Sequence, residues 1–214
     1  MSMDLTGISN QNEYYTNHYF STVFGENASE SIQKWNAAAK QSKDIHTPWS
    51  DLRRIAGQYY PAHDRYVRSS VNMQTLLNIR DLAAAYLQAL GYPQPSPAKV
   101  MVEENLEVPV FLEMKKQSGA PFLWVILMAP KEKGAGIMES YAFSASDVAE
   151  DAFGTLHKGV LGEVPGEELA TKVLFAQSEP PRFLLLIGID QIALIDRNKW
   201  NEKRYLQFEL DEIF

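Results

Sequence analysis

The apolar positions of this chain change their period once. Up to about residue 90 they recur at helical spacing, and beyond it they alternate or run on in short blocks. In residues 12–25, Tyr15, Tyr19 and Val23 share a helical face, and Gly25 is placed to stop the element. Residues 29–40 continue with Ile32 and Trp35 on one face and an alanine run. Thr47 and Pro48 make a helix start, with Thr47 as N-cap and proline at the first helical position. That helix carries Leu52, Ile55 and Ala56 before Tyr59, Tyr60 and Pro61. The strongest stripe lies in residues 72–90, where Leu76, Leu77, Ile79, Leu82, Ala83, Tyr86, Leu87 and Leu90 form a broad apolar face and Gly91 ends it. Pro93, Pro95 and Pro97 then stiffen a connector.

Strands follow. Residues 99–103, 107–116 and 121–128 are three consecutive candidates joined by short polar turns, with Gly119 in the second turn. Residues 131–134 form a solvated loop. Residues 147–156 and 167–173 read as short helices. A hairpin over 183–187 and 191–196 turns at Gly188, and a last strand over 204–209 adds to an edge. The expected fold is α/β. A helical N-terminal extension over residues 1–70 precedes an α/β domain with a mixed sheet over residues 71–214. The stripe of residues 72–90 needs the sheet as cover, so both parts form one compact unit.

Composition narrows the function. Hydrophobic residues are 45% and charged residues 22% of the 214, enough for a packed core. No apolar run approaches the length of a membrane span, and the polar N-terminus lacks the pattern of a signal peptide. The absence of cysteine excludes disulfides and thiolate metal sites and fits a cytoplasmic protein. The net charge of −7 disfavours autonomous DNA binding, because phosphate neutralisation supplies most of that affinity. A DNA-facing surface must then be a local basic patch. Arg53, Arg54, Arg65, Arg68 and Arg80 supply one around the central helices, or line solvated helix faces.

The chemistry-bearing stretch is Val108-Pro109-Val110-Phe111-Leu112-Glu113-Met114-Lys115-Lys116. On a strand, Glu113 and Lys115 project to the same side. Such a pair can hold a divalent metal through the carboxylate and orient a water through the lysine. A second carboxylate is needed about ten residues upstream, where Glu103 and Glu104 stand. These residues define a candidate Mg2+ site with Glu113 and Lys115 catalytic and Glu103, Glu104 and Glu113 as ligands. The layout of helix, acidic strand, Glu-x-Lys strand and apolar third strand matches the restriction-endonuclease (PD-(D/E)xK) core. The competing reading is an exposed strand with charges on its solvent face. In a second register the buried strand over 122–128 takes the central place, and its corresponding positions, Leu127 and Ala129, cannot bind metal. His18, His46, His63 and His157 show no ligand spacing, and neither a nucleophile elbow nor a phosphate-binding glycine loop occurs. The dense N-terminal aromatics Tyr14, Tyr15, Tyr19, Phe20 and Phe24 suit core packing or docking better than base stacking.

Two segments resemble a known family. The opening Ile8-Ser9-Asn10-Gln11-Asn12-Glu13-Tyr14-Tyr15-Thr16-Asn17-His18-Tyr19 resembles the start of large bacterial DNA methyltransferases of restriction-modification and phage-defence systems, the type IIG and BREX-associated kind. The run from Glu179-Pro180-Pro181-Arg182 through Leu194-Ile195-Asp196-Arg197-Asn198-Lys199-Trp200 to Lys203-Arg204-Tyr205-Leu206 is similar to the end of the same N-terminal region. The resemblance implies the N-terminal part of a longer protein, a metal-dependent DNA endonuclease or a degenerate nuclease-like domain. The alternative within that protein is a non-catalytic module for DNA positioning or protein docking. Its implied partners are double-stranded DNA and a C-terminal methyltransferase part, to which S-adenosylmethionine would belong. Glu179-Pro180-Pro181-Arg182 only mimics the methyltransferase Asn/Asp-Pro-Pro-Tyr/Phe motif and is expected to be a loop before a strand.

Overall fold

The computed structural model describes residues 5–42, 44–104, 106–145, 148 and 164–214. Strand β1 (Ile8–Gln11) opens the fold. A π-helical turn at Tyr19–Val23 runs into α1 (Phe24–Gln41), and α2 (Pro48–Arg68) and α3 (Met73–Ala89) follow. A hairpin of β2 (Ala98–Glu103) and β3 (Leu106–Val110) leads into β4 (Leu112–Lys115) and the long β5 (Pro121–Ala129). Then come β6 (Tyr141–Ala142), α4 (Gly166–Phe175), β7 (Phe183–Ile187), β8 (Gln191–Asp196), α5 (Arg197–Trp200), β9 (Tyr205–Glu209) and α6 (Leu210–Ile213).

The main sheet is mixed. Its order is β1-β9-β8-β7-β5-β4, and β6 pairs with the end of β5. β5 and β7 are parallel, with Val125 opposite Leu185, and every other named pairing is antiparallel. The fold is therefore the α/β type with a mixed sheet that was expected, and the final hairpin lies close to its expected bounds. Alternation along β5 divides the core. Leu123, Val125, Leu127 and Ala129 join one apolar cluster with α2 and α3, while Trp124, Ile126 and Met128 join a second with α4 and the β2–β3 hairpin. A sheet covered on both faces has near-continuous apolar central strands, as β5 and β7 do.

The helices follow their local signals. Thr47 accepts from the Ser50 N–H at the start of α2. Asn72 and Thr75 form a reciprocal capping box at the start of α3, and Gly91 takes the left-handed conformation (φ 81°) just past its end. Residues on both sides of position 70 share one core: Ile55, Tyr59, Ala62 and Tyr66 of α2 pack with Leu76, Ile79 and Leu87 of α3. Among the described residues, no helix is long and apolar enough to cross a membrane.

Four expectations need correction. The helix over 12–25 begins only at residue 17 and passes through the π-helical turn into α1, because Asn12 and Glu13 both take positive φ (48° and 58°) and turn the chain after β1. Gly25 lies inside α1 rather than ending a helix. The helix beginning at Pro48 does not stop at Pro61. It continues to Arg68, with glycine (Gly57) at the position whose carbonyl the proline ring crowds. The strand over 107–116 is two strands, since the chain leaves the hairpin at Phe111 to join the main sheet. The helix expected over 147–156 lies outside the described residues.

Two substitutions test this frame. Asn72→Ala removes an N-cap and should cost about 1 kcal/mol. Ile126→Ala opens a cavity beneath a fully buried position and should cost about 3 kcal/mol. Urea unfolding should show both as lowered midpoints at an unchanged slope.

Candidate functional site

β4 lies antiparallel to β5 with Glu113 directly opposite Trp124. The Trp124 indole is buried, and its Nε1–H donates to Glu113 Oε1 at 3.0 Å. The other carboxylate oxygen, Oε2, is 3.1 Å from Lys115 Nζ. Glu113 and Lys115 thus share one side of the strand, as alternation requires, although the register shifts between Met114 and Lys115. Both oxygens of Glu113 are engaged by protein. One satisfies a tryptophan N–H that would otherwise be orphaned at the edge of the core.

The upstream carboxylates stand elsewhere. Glu103 ends β2 in the two-stranded sheet and pairs with Lys172 of α4 at 3.2 Å. That hydrogen bond holds the Lys172 ammonium above its usual pKa against the opposing effect of desolvation, with the Glu103 charge and Glu168 adding to it. Glu104 is exposed just after β2. Glu107 of β3 lies 3.6 Å from Lys99. Among the described residues no group of three His, Asp or Glu side chains gathers where a metal could bind. The donor set named from sequence, Glu103, Glu104 and Glu113, does not fit a divalent cation in this arrangement. On the central strand β5, Leu127 and Ala129 are buried in the core. His46 approaches Arg54 and His63 stacks on Tyr59, and His157 lies outside the described residues.

The basic positions sit on α2 and α3. Arg54, Arg65 and Arg68 fall on one flank of α2, being roughly whole turns apart. Each has a local partner: Arg54 meets Asp51 at 3.3 Å, Arg68 meets Asp64 at 3.2 Å, and Arg65 donates to the Pro61 carbonyl. Arg80 of α3 pairs with Asp81 at 2.9 Å. Arg53 is exposed on a different side of α2. Arg65 lines two shallow clefts between the helices, one shared with Arg68, Asn72, Gln74 and Asn78. Exposed pairs of this kind contribute little to stability, so the guanidinium groups remain available to another anion.

The structure also assembles a cluster that residue-by-residue inspection misses. Asp196, 4% exposed at the end of β8, accepts from Arg182 Nε (2.7 Å) and Nη2 (2.8 Å) and from the Asn198 N–H (2.9 Å) that opens α5. Arg197 donates to the Pro180 carbonyl. Glu179-Pro180-Pro181-Arg182 is therefore the loop before β7 that the sequence suggested, with Arg182 as its anchor. Lys199 of α5 lies over the rings of Tyr14 (4.1 Å) and Tyr15 (4.6 Å) and donates to the Tyr14 carbonyl. Burial, with Tyr15 and Asp196 nearby, pushes the Tyr14 hydroxyl far above an ordinary tyrosine, so it stays protonated. Asn12 donates to the Lys203 carbonyl, and β1 pairs with β9. The segments over residues 8–19 and 179–206 thus form one seam.

No family model, no curated protein and no solved structure matches the chain.

The seam makes a test. Arg182→Ala leaves Asp196 buried without its bidentate partner and should destabilise the fold by about 2 kcal/mol. Arg182→Lys should recover less than half of that, because an ammonium cannot reproduce the fork. Thermal and urea unfolding of the three proteins decides it.

Proposed function

We propose that this chain is a nuclease-like module of a bacterial DNA restriction-modification or phage-defence methyltransferase, one that positions DNA and docks the remaining protein without cutting. The fold-level support is the order of elements: helix α3, an acidic hairpin strand, the Glu-x-Lys strand β4 and the apolar central strand β5. Family support rests on the segments at residues 8–19 and 179–206. The observation that carries the non-cleaving reading is the engagement of Glu113 by Trp124 and Lys115. To ligate a cation this carboxylate would have to release an indole N–H and an ammonium, and its upstream partner Glu103 stands in a different sheet, paired with Lys172. S-adenosylmethionine and methyl transfer belong to the methyltransferase part of such a protein, which works in the cytoplasm.

DNA contact is assigned to the α2–α3 flank carrying Arg54, Arg65 and Arg68, with the Gln74 and Asn78 amides beside the cleft. Phosphates would take over guanidinium groups now shared with Asp51 and Asp64. Those carboxylates repel the backbone, so the contact is weak and salt-sensitive.

Plasmid incubated with the chain and magnesium or manganese should stay supercoiled, and Glu113→Ala should leave that result unchanged. Metal-dependent nicking that Glu113→Ala abolishes would establish the endonuclease reading instead. In gel shifts at low salt, a short duplex should be retarded, and Arg65→Ala with Arg68→Ala should weaken binding and lower the salt slope by about 2. Failure of the unmodified chain to bind at low salt would remove DNA positioning and leave docking alone.

A further inference from the structure

The α2–α3 pair does not cover the whole of its face of the sheet. Beyond β7, the strands β8, β9 and β1 present Leu194, Phe208 and Ile8 to a cavity of about 590 Å3. Leu87 near the end of α3, Leu90 just past it, and the last residues of the sequence, Ile213 and Phe214, form its other walls. That volume is in the range of small-molecule sites, and the lining is mostly aliphatic and aromatic. Glu212, exposed at α6, is the one charged side chain among the described residues that line it.

A second, independent feature lies in its wall. Tyr86 of α3 lines this cavity and is 2% exposed, yet its hydroxyl has no hydrogen-bond partner among the described residues. Its ring is fixed by stacking against Phe214 at 5.7 Å. A buried hydroxyl without a partner is costly, and native folds rarely leave one unless something else satisfies it. Burial also keeps this phenol protonated, so it has a hydrogen to donate.

We infer that this cavity binds a neutral, mostly apolar small molecule whose single oxygen accepts a hydrogen bond from Tyr86. Apolar walls supply the affinity through buried area, and the hydroxyl sets orientation. An anionic head is disfavoured, because the site offers no cation and Glu212 repels it. The site is independent of the proposed DNA-facing flank on the α2–α3 cleft.

The neutral fluorophore N-phenyl-1-naphthylamine, titrated into the intact chain, should show saturable enhancement that 1-decanol reverses. Decanoate should compete at least tenfold less well than decanol. Leu194→Trp fills the cavity and should abolish the enhancement in protein that still unfolds cooperatively. Tyr86→Phe removes only the hydroxyl and should weaken decanol about fivefold, the worth of one net hydrogen bond, while leaving decane unchanged. Tyr59→Phe is the control: its hydroxyl is also buried and unpartnered, but it does not line the cavity, and it should leave decanol binding as it was. Enhancement that persists in folded Leu194→Trp overturns the site. Equal binding of decanol by Tyr86→Phe and the unmodified chain, or of decanoate and decanol, overturns the ligand class.

Discussion

The parallel pairing of β5 with β7 is the constraint from which the rest of the molecule follows. Both strands are apolar on both faces, and Val125, Ile126, Leu184 and Leu186 are almost completely buried. A parallel pair cannot be joined by a tight turn, so the chain must leave β5 and cross over before returning as β7. Helix α4 lies on that crossover and seals one face with Leu169, Val173 and Leu174. The opposite face needs its own cover, which the α2–α3 pair provides through Tyr59, Leu76, Ile79 and Leu87. Gly166 shows how close the fit is: a Cβ there would sit 2.7 Å from the Ile137 carbonyl oxygen.

Around that centre the outer strands are held by polar anchors rather than by further layers. Asp196 ties the loop before β7 to the start of α5, and Lys199 then reaches the N-terminal segment through Tyr14 and Tyr15. Charge-assisted hydrogen bonds to a buried carboxylate fix geometry more tightly than surface pairs do. The β1 edge therefore sits at a defined register beside β9. The same incomplete cover leaves the apolar strips of β8 and β9 bordering a cavity instead of a packed core.

Much of this was legible in the chain because periodicity reports burial directly. The stripe over 72–90, the capping residue Asn72 and the terminal Gly91 foretell α3 nearly to the residue. The blocks over 121–128, 183–187 and 191–196 likewise foretell β5, β7 and β8. What escaped depends on partners distant in sequence. β1 is a short polar strand, Ile8–Gln11, whose only reason to be extended is β9. The helix expected over 12–25 has a convincing apolar spacing, but Tyr14 and Tyr15 stand before the helix in a turn, where both rings also meet Lys199, and Tyr15 packs on Tyr19, Phe20 and Phe24 from outside it. Alternation placed Glu113 and Lys115 together correctly. It could not show that Trp124, across the ladder, would claim the same carboxylate.

That last point bears on how acidic residues are distributed in this fold. Glu103 faces Lys172, Glu107 faces Lys99, Glu113 faces Lys115 and Asp196 faces Arg182. The three glutamate–lysine pairs are exposed, worth at most about 1 kcal/mol each, and would not by themselves keep a divalent cation away. Strand assignment is the larger obstacle. Glu103 belongs to the β2–β3 hairpin, while Glu113 belongs to the main sheet, and the chain changes sheets between them at Phe111. Bringing the carboxylates together would mean breaking a ladder as well as an ion pair. It would also strip the indole of Trp124 of its acceptor at the edge of the core. The Glu-x-Lys strand is thus committed to closing one edge of the sheet, and its charges complete the packing of β5 beneath it.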